Sequence, residues 1–304
     1  MNAFLLGALS ISMSLVAVAL VVVNFTKPHQ KKLSTLTYHQ FKNVISHLLM
    51  QHTGIPKLVF RTGPFPLYKA PEVVINYLED LVKKNPEYTQ VYFNDEDCKE
   101  FVKVYFPEHL QAYNALIPTA FKADLFRLLV LYQFGGVYND IGHLYVQPIS
   151  TVIQDGDELV FAIDHPLQNS GGLHNAFIAS ISGHPIIKKA IERIVHNVMT
   201  RSYGENQYDI TGPVALGKCV NEFFDKPSKA PFTKGYTHYK GFTLKFVDYA
   251  LGHVPHLNMP KNILDLDGNV AIVTKFPNYY NIMYSDRNTL HYDELYKQKV
   301  VYKF

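Results

Sequence analysis

The stretch AFKADLFRLLVLYQFGGVYNDI, Ala120 to Ile141, constrains the fold of this chain more than any other. Leu125, Phe126, Leu128, Leu129, Val130, Leu131 and Tyr132 leave a helix here no face suited to water, so it must be covered on every side. Gly135-Gly136 stops the helix, and the following Val137-Tyr138 reads as β. A covered helix running into a buried strand points to an α/β domain. Two charges sit inside this apolar setting. Asp124 and Arg127 are three residues apart and share a helix face, and a carboxylate there is costly unless paired or hydrogen-bonded. On these two residues alone, a pair that satisfies itself and a pair that faces a polar ligand are equally good readings. Asp140 favours the ligand. It emerges from a β run just after a Gly-Gly turn, where parallel sheets bind ligands and where backbone can come close to them.

The flanking pattern supports the α/β class. IPKLVFRTG and YTQVYFND read as strands, separated by a helix in APEVVINYLEDLVKKNP that starts near Pro71 and ends before Pro86. ELVFAID follows as a strand, HPIIKKAIERIVHNVM as an amphipathic helix, and TGPVALGKCVNEFF as a turn feeding a helix. GFTLKFVDY and NVAIVTKF are late strands, so a mainly parallel sheet with an added antiparallel part is expected. LDLDGN resembles part of a calcium loop, but a hairpin turn explains Asp265 and Asp267 more simply.

Composition excludes several classes. A net charge of +3 over 304 residues, with no basic run longer than two, argues against nucleic-acid binding. The fourteen histidines are dispersed without a metal-ligand spacing, and Cys98 and Cys219 read as two buried thiols. The N-terminus is different in kind. Ala3 to Val23 carries no charge and is long enough to span a bilayer, so residues 1–26 are expected to be a transmembrane anchor and 27–54 a stem. Lys27, Lys31 and Lys32 all follow the span, which suggests a cytoplasmic domain by the positive-inside rule. The remaining 55–304 suits one domain.

In order, IPKLVFRTG, AFKADLFRLLVLYQFGGVYNDI, NAFIASISGHPIIKKAI, TGP and HYDELYK resemble the DXD-motif glycosyltransferases of family 32. That family includes the initiating α-1,6-mannosyltransferases of fungi and capsular-polysaccharide transferases. The resemblance covers most of Ile55 to Lys297. It implies a GT-A-like nucleotide-sugar-binding fold and a hexosyltransferase using a UDP- or GDP-hexose. It also implies a glycan or glycoconjugate acceptor, a divalent cation (usually Mn²⁺), retention at the anomeric carbon and a Golgi- or ER-type lumenal location.

Carried over by position, Asp124, Arg127 and Asp140 form the catalytic group, with Asp140 as the first acid of the motif. Phe60, Arg61, Thr62 and Tyr138 fall on the donor side, and Thr211, Gly212 and Pro213 on the acceptor side. His291 and Asp293 join Asp140 as expected metal ligands, and Tyr296 stands where the family often has Trp. One departure matters. The motif is Asp140-Ile141-Gly142, so the second acid is missing, and strand alternation turns the adjacent His143 to the other face from Gly142. A weaker Mn²⁺ site and a catalytically silent relative that binds nucleotide sugar or glycan are both open at this point.

Overall fold

Gly135 and Gly136 govern how the domain is put together. The structure, a computed structural model, describes residues 34–49, 54–165, 167, 171–251, 261–284 and 290–304. In it the Gly135 N–H closes the helix on the Leu131 carbonyl, and both glycines take positive φ (67° and 99°). A Cβ on Gly135 would meet Pro56 and the Ser182 backbone at 2.8 Å, and one on Gly136 would meet the Leu58 carbonyl at 2.8 Å. Only glycine gives both the dihedral and the closeness, so the chain can pass directly from the central helix into the middle of the sheet.

In chain order the elements are β1 (Leu36–Thr37), α1 (Tyr38–Leu49), β2 (Leu58–Thr62), α2 (Glu72–Lys84), β3 (Thr89–Phe93), α3 (Asp95–Tyr105), α4 (Leu110–Ala115) and α5 (Thr119–Phe134). Next come β4 (Gly136–Asn139), β5 (Leu144–Tyr145), β6 (Leu159–Asp164), β7 (Leu173–Ser180), α6 (Pro185–Met199) and α7 (Pro213–Phe223). The last are β8 (Gly235–Tyr239), β9 (Phe242–Leu251), β10 (Lys261–Leu264), β11 (Val270–Val273), α8 (Tyr279–Tyr284) and α9 (Tyr292–Lys297). The strands form one sheet in the order β1-β3-β2-β4-β7-β6-β9-β10-β11-β5, with β8 added beside β9.

Four junctions are parallel: β1–β3, β3–β2, β2–β4 and β6–β9. β7 runs antiparallel to both β4 and β6, and the β9–β10–β11–β5 edge is antiparallel throughout. The sheet is therefore mixed, not mainly parallel as the alternation of elements suggests. The difference comes chiefly from β7, whose LHNAFIAS run carries no turn signal to mark it as an inserted strand.

Side chains alternate across the sheet as pleating requires. Val59, Val137, Val160 and Phe177 face one buried layer, while their neighbours Phe60, Tyr138, Phe161 and Ile178 face the other. The second layer holds α5, α6 and α1, so α5 is enclosed as its composition demands. Helix starts follow local chemistry. Asn94 caps α3 in a reciprocal box with Asp97, and His184 accepts from the Ile186 N–H at the start of α6. Asp265 accepts from the N–H groups of Asp267 and Asn269 in the β10–β11 hairpin, so it is a turn residue.

Two expectations concern the N-terminus. The anchor at 1–26 lies outside the described residues, and among the described residues no helix is long and apolar enough to cross a membrane. Residues 34–49, expected as stem, belong to the domain: β1 pairs with β3, and Tyr38 and Phe41 are buried among Phe93, Phe101 and Phe60.

Gly136→Ala should lose about 2–3 kcal/mol or more of stability, combining a left-handed φ with backbone overlap. Gly156→Ala has the same sign of φ but open space around it, so it should cost only about 1 kcal/mol. Urea midpoints at unchanged slope measure both.

Candidate active site at the carboxyl ends of the parallel strands

The three adjacent parallel strands β3, β2 and β4 all end at one cavity of about 590 Å³, a size suited to a small-molecule ligand. Thr62 ends β2 and Gly63 and Pro64 follow it, Asp95 comes just after β3, and Asp140 and Ile141 follow β4. Helix α5 supplies Ala123 and Arg127. Tyr279, Tyr280 and Met283 from α8 and His291 and Tyr292 from the C-terminal segment close the far side. A parallel sheet directs helix N-termini and loops to this end, which is why ligands bind there.

Arg127 is the centre of the polar network. Its guanidinium is almost wholly buried. Nη1 donates to the Asn175 carbonyl at 2.5 Å, and Nε donates to Ala123 O at 3.2 Å. Nη2 lies 3.1 Å from Asp124 Oδ1 and 3.5 Å from Asp140 Oδ1. The guanidinium plane sits 4.6 Å from the Tyr138 ring centroid, and the Tyr138 hydroxyl meets Thr62 Oγ1 at 3.0 Å.

Asp124 sits behind the arginine. Its Oδ1 also accepts from Asn175 Nδ2 at 2.9 Å, and its Oδ2 accepts from Thr211 Oγ1 at 2.7 Å. Burial pushes this carboxyl up to about 6 against the pull of Arg127 and Thr211, leaving it ionised at neutral pH. Burial also works against the Arg127 charge, but Tyr138, Asp124 and Asp140 outweigh it and hold the guanidinium protonated.

The residues singled out from the sequence separate into three groups. Arg127, Asp140, Thr62, Tyr138 and His291 line the cavity together. Asp124 and Thr211 lie one layer back; Gly212 lies beside Tyr208, and Pro213 starts α7. The Thr211 hydroxyl, expected on the acceptor side, is committed to Asp124.

Phe60 and Arg61 are a correction. Phe60 is sealed among Phe41, Phe93 and Phe134. Arg61 is fully buried and donates to the His143 carbonyl at 3.0 Å, bracing the turn after Asp140 instead of facing a donor. Alternation and position together are the cause: Phe60 and Arg61 point into the two buried sides of the sheet, and of the three only Thr62, the last residue of β2, reaches the cavity.

The expected metal ligands do not converge. Among the described residues no three His, Cys, Asp or Glu side chains gather as a cation site. His291 caps its own helix, its Nδ1 3.4 Å from the Asp293 N–H and 3.2 Å from Asp293 Oδ2, and Asp293 is not among the cavity-lining residues. Asp140 is drawn to Arg127. His143 is buried, with Nδ1 2.6 Å from the Asn139 side chain and its ring stacked on His174. The described residues therefore do not fit a two-acid metal centre.

Asn175, Asp95 and Tyr279 are site residues that sequence reasoning left without a role. A polar Asn in an otherwise apolar strand was the available signal for Asn175. Asp95 was hidden by its plausible duty as a first-turn helix acid.

Residues 71–159, which hold Arg127, Asp124 and Asp140, match the family described as glycosyltransferase sugar-binding region containing DXD motif. An initiation-specific alpha-1,6-mannosyltransferase of Schizosaccharomyces pombe is 29% identical over 188 residues, 53% of this chain and 47% of that protein. The protein of the same name from Candida albicans is 24% identical over 199 residues, 53% of this chain and 50% of that one. Inositol phosphoceramide mannosyltransferase 3 of Schizosaccharomyces pombe is 29% identical over 91 residues, 30% of this chain and 25% of its own length. Each match thus spans half or less of the relative. Among solved structures, PaToxG glycosyltransferase aligns with TM-score 0.41 and 19% identity over 61% of this chain and 74% of that one. The matched segment supplies Asp95, Arg127, Tyr138 and Asp140 to the cavity, so the likeness to the DXD-motif sugar-binding region falls on the part of the chain that holds its charged residues.

Proposed function

We propose that the chain transfers a hexose from a nucleotide sugar to a hydroxyl of a glycan or glycoconjugate. The observation that carries this reading is a buried arginine, fixed on several sides, that still lines a cavity past three parallel strands. A guanidinium held this firmly needs no reorganisation when charge develops on a leaving diphosphate, and in a partly desolvated site its stabilisation is large. Its planar fork also suits phosphate oxygens. The relatives named as mannosyltransferases favour a mannosyl donor such as GDP-mannose, with UDP-hexoses as the alternative.

In this reading the roles divide by position. Arg127 contacts the donor and meets the departing charge. Asp140, with its side chain 38% exposed, accepts from donor hydroxyls. Thr62, Asp95 and Tyr138 shape the donor side. Asp124, Asn175 and Thr211 are positioning residues that hold the guanidinium. The cavity wall from Leu290 to Leu295 is the side from which an acceptor would enter. Retention and a GT-A-like course of the chain belong to the same proposal, on the family likeness. No step passes through Mn²⁺, because the expected ligands Asp140, His291 and Asp293 are not gathered. The Ala3–Val23 run is proposed to tether the domain to a Golgi- or ER-type membrane, and protease protection in sealed microsomes tells the lumenal from the cytoplasmic side.

Gly142 favours a second reading, in which the domain binds nucleotide sugar without transferring it. Calorimetry with GDP-mannose and UDP-glucose, followed by a donor-hydrolysis assay, separates the two. Turnover supports the transferase, and binding with neither hydrolysis nor transfer supports the silent relative.

Arg127→Ala should lower turnover on the order of 10²–10³-fold, and Arg127→Lys should rescue little of it because the fork is lost. Thr211→Val should weaken donor binding while leaving the fold intact, as judged by circular dichroism. Donor binding should also fall as pH drops through about 6, where Asp124 takes up a proton and releases its hold on Arg127. Asp124→Asn should bind weakly and lose that pH dependence.

A further inference from the structure

Gly142 occupies the position of the missing second acid, and its surroundings leave no place for one. A Cβ there would come within 2.9 Å of Tyr279 Cε2 and 3.2 Å of the Thr274 carbonyl. The Tyr279 ring is held edge-on by Phe276 at 5.1 Å and by Tyr280 at 5.5 Å between centroids. A carboxylate at 142 would have to displace a packed ring, so the position is filled as well as substituted.

Two cations stand near this ring and Asp140. Arg127 lies on the Asp140 side, 3.5 Å away and lining the cavity. Lys275 follows the Thr274 carbonyl that abuts Gly142. Its ammonium donates to the hydroxyl of Tyr280, itself a cavity residue, and lies 4.1 Å from that ring's centroid. Lys275 is half-buried, and the Asp140 carboxylate favours its charge against burial.

From this arrangement we infer that the donor diphosphate is held by Arg127 and Lys275 without a divalent cation, Tyr279 filling the place of the second acid. The inference rests on the transferase reading and deepens it. Lys275 is a flexible point charge held against Tyr280 of the cavity wall, while Arg127 is the rigid fork, so together they are placed to meet both phosphates of the donor. Charge attraction supplies this hold, so affinity for the diphosphate should fall with added salt, and the Asp124 and Asp140 carboxylates, which partly offset the cations, moderate the slope.

The test is calorimetric titration of GDP-mannose and of UDP-glucose into the purified full chain, once with excess EDTA and once with Mn²⁺. Mn²⁺ itself is followed in parallel by electron paramagnetic resonance. The expected result is donor binding of equal strength in both buffers, weakening with added salt, and a free-Mn²⁺ signal that the protein does not reduce. Lys275→Met should weaken binding about tenfold, the loss of one charge-assisted contact. Binding that requires Mn²⁺, or capture of Mn²⁺ by the protein, overturns the inference and leaves the transferase reading standing. Unchanged affinity in Lys275→Met removes that lysine from the site and overturns the inference in its stated form. No binding of either donor in either buffer overturns both.

Discussion

A guanidinium withdrawn from water into an apolar helix–sheet junction must be neutralised and saturated, and the domain is organised around meeting that demand for Arg127. Coulombic attraction to Asp124 alone would not recover the desolvation of both groups, since buried pairs often do no better than hydrophobic replacements. The remaining support comes from the Asn175 carbonyl and amide, the Thr211 hydroxyl and the face of Tyr138. These partners come from β7, from the turn before α7 and from β4. Three segments, two of them distant in sequence, therefore converge around one side chain of α5. Losing any of them would leave a buried polar group unpaired, which costs more than the contact itself contributes.

That convergence depends on backbone geometry laid down by glycine. Because Gly136 admits β4 against β2 without a side chain between them, Tyr138 and Asp140 emerge beside Thr62 and opposite Arg127. Antiparallel β7 then sets Phe177 opposite Asn139 and carries Asn175 past the end of β4, with the Asp140 N–H bonded to the Ala176 carbonyl. The mixed topology is therefore part of the site. A parallel neighbour to β4 would present different backbone groups at this end of the sheet, where the Asn175 carbonyl now accepts from Arg127.

Much of this was legible in the sequence because the signals were local. The solvent-free helix of Leu125 to Tyr132, the double glycine and the lone Asp140 announced a buried helix feeding a strand with an acid at its end, and they are arranged that way. What was illegible depended on long-range pairing. Nothing in LHNAFIAS reveals that it runs antiparallel between two strands, so the role of Asn175 stayed hidden. Arg61 misled for a related reason. A charged residue at the end of a strand suggests a ligand, but one position in the pleat decides whether it meets the cavity or the interior, and here it meets the His143 carbonyl. The two-residue β1 was unreadable because its partner, β3, lies more than fifty residues away.

The histidines beneath the motif show how the interior and the cavity constrain each other. His143, His174 and Tyr249 form a stacked column, 5.9 Å and 3.8 Å between successive centroids. Burial holds both imidazoles neutral, and the nearby Arg61, Arg127 and Lys275 push in the same direction. A neutral imidazole is in principle a good cation ligand, yet His143 contacts the Asn139 side chain and is turned away from the cavity. The column therefore serves as a rigid floor for the Asp140–Gly142 turn, leaving Asp140 as the acid of the motif that reaches the cavity. With that floor and the Tyr279 ring both fixed, recovering a second acid would require moving α8 as well as changing residue 142. One substitution can remove a carboxylate, but only a repacked wall could make room for it again.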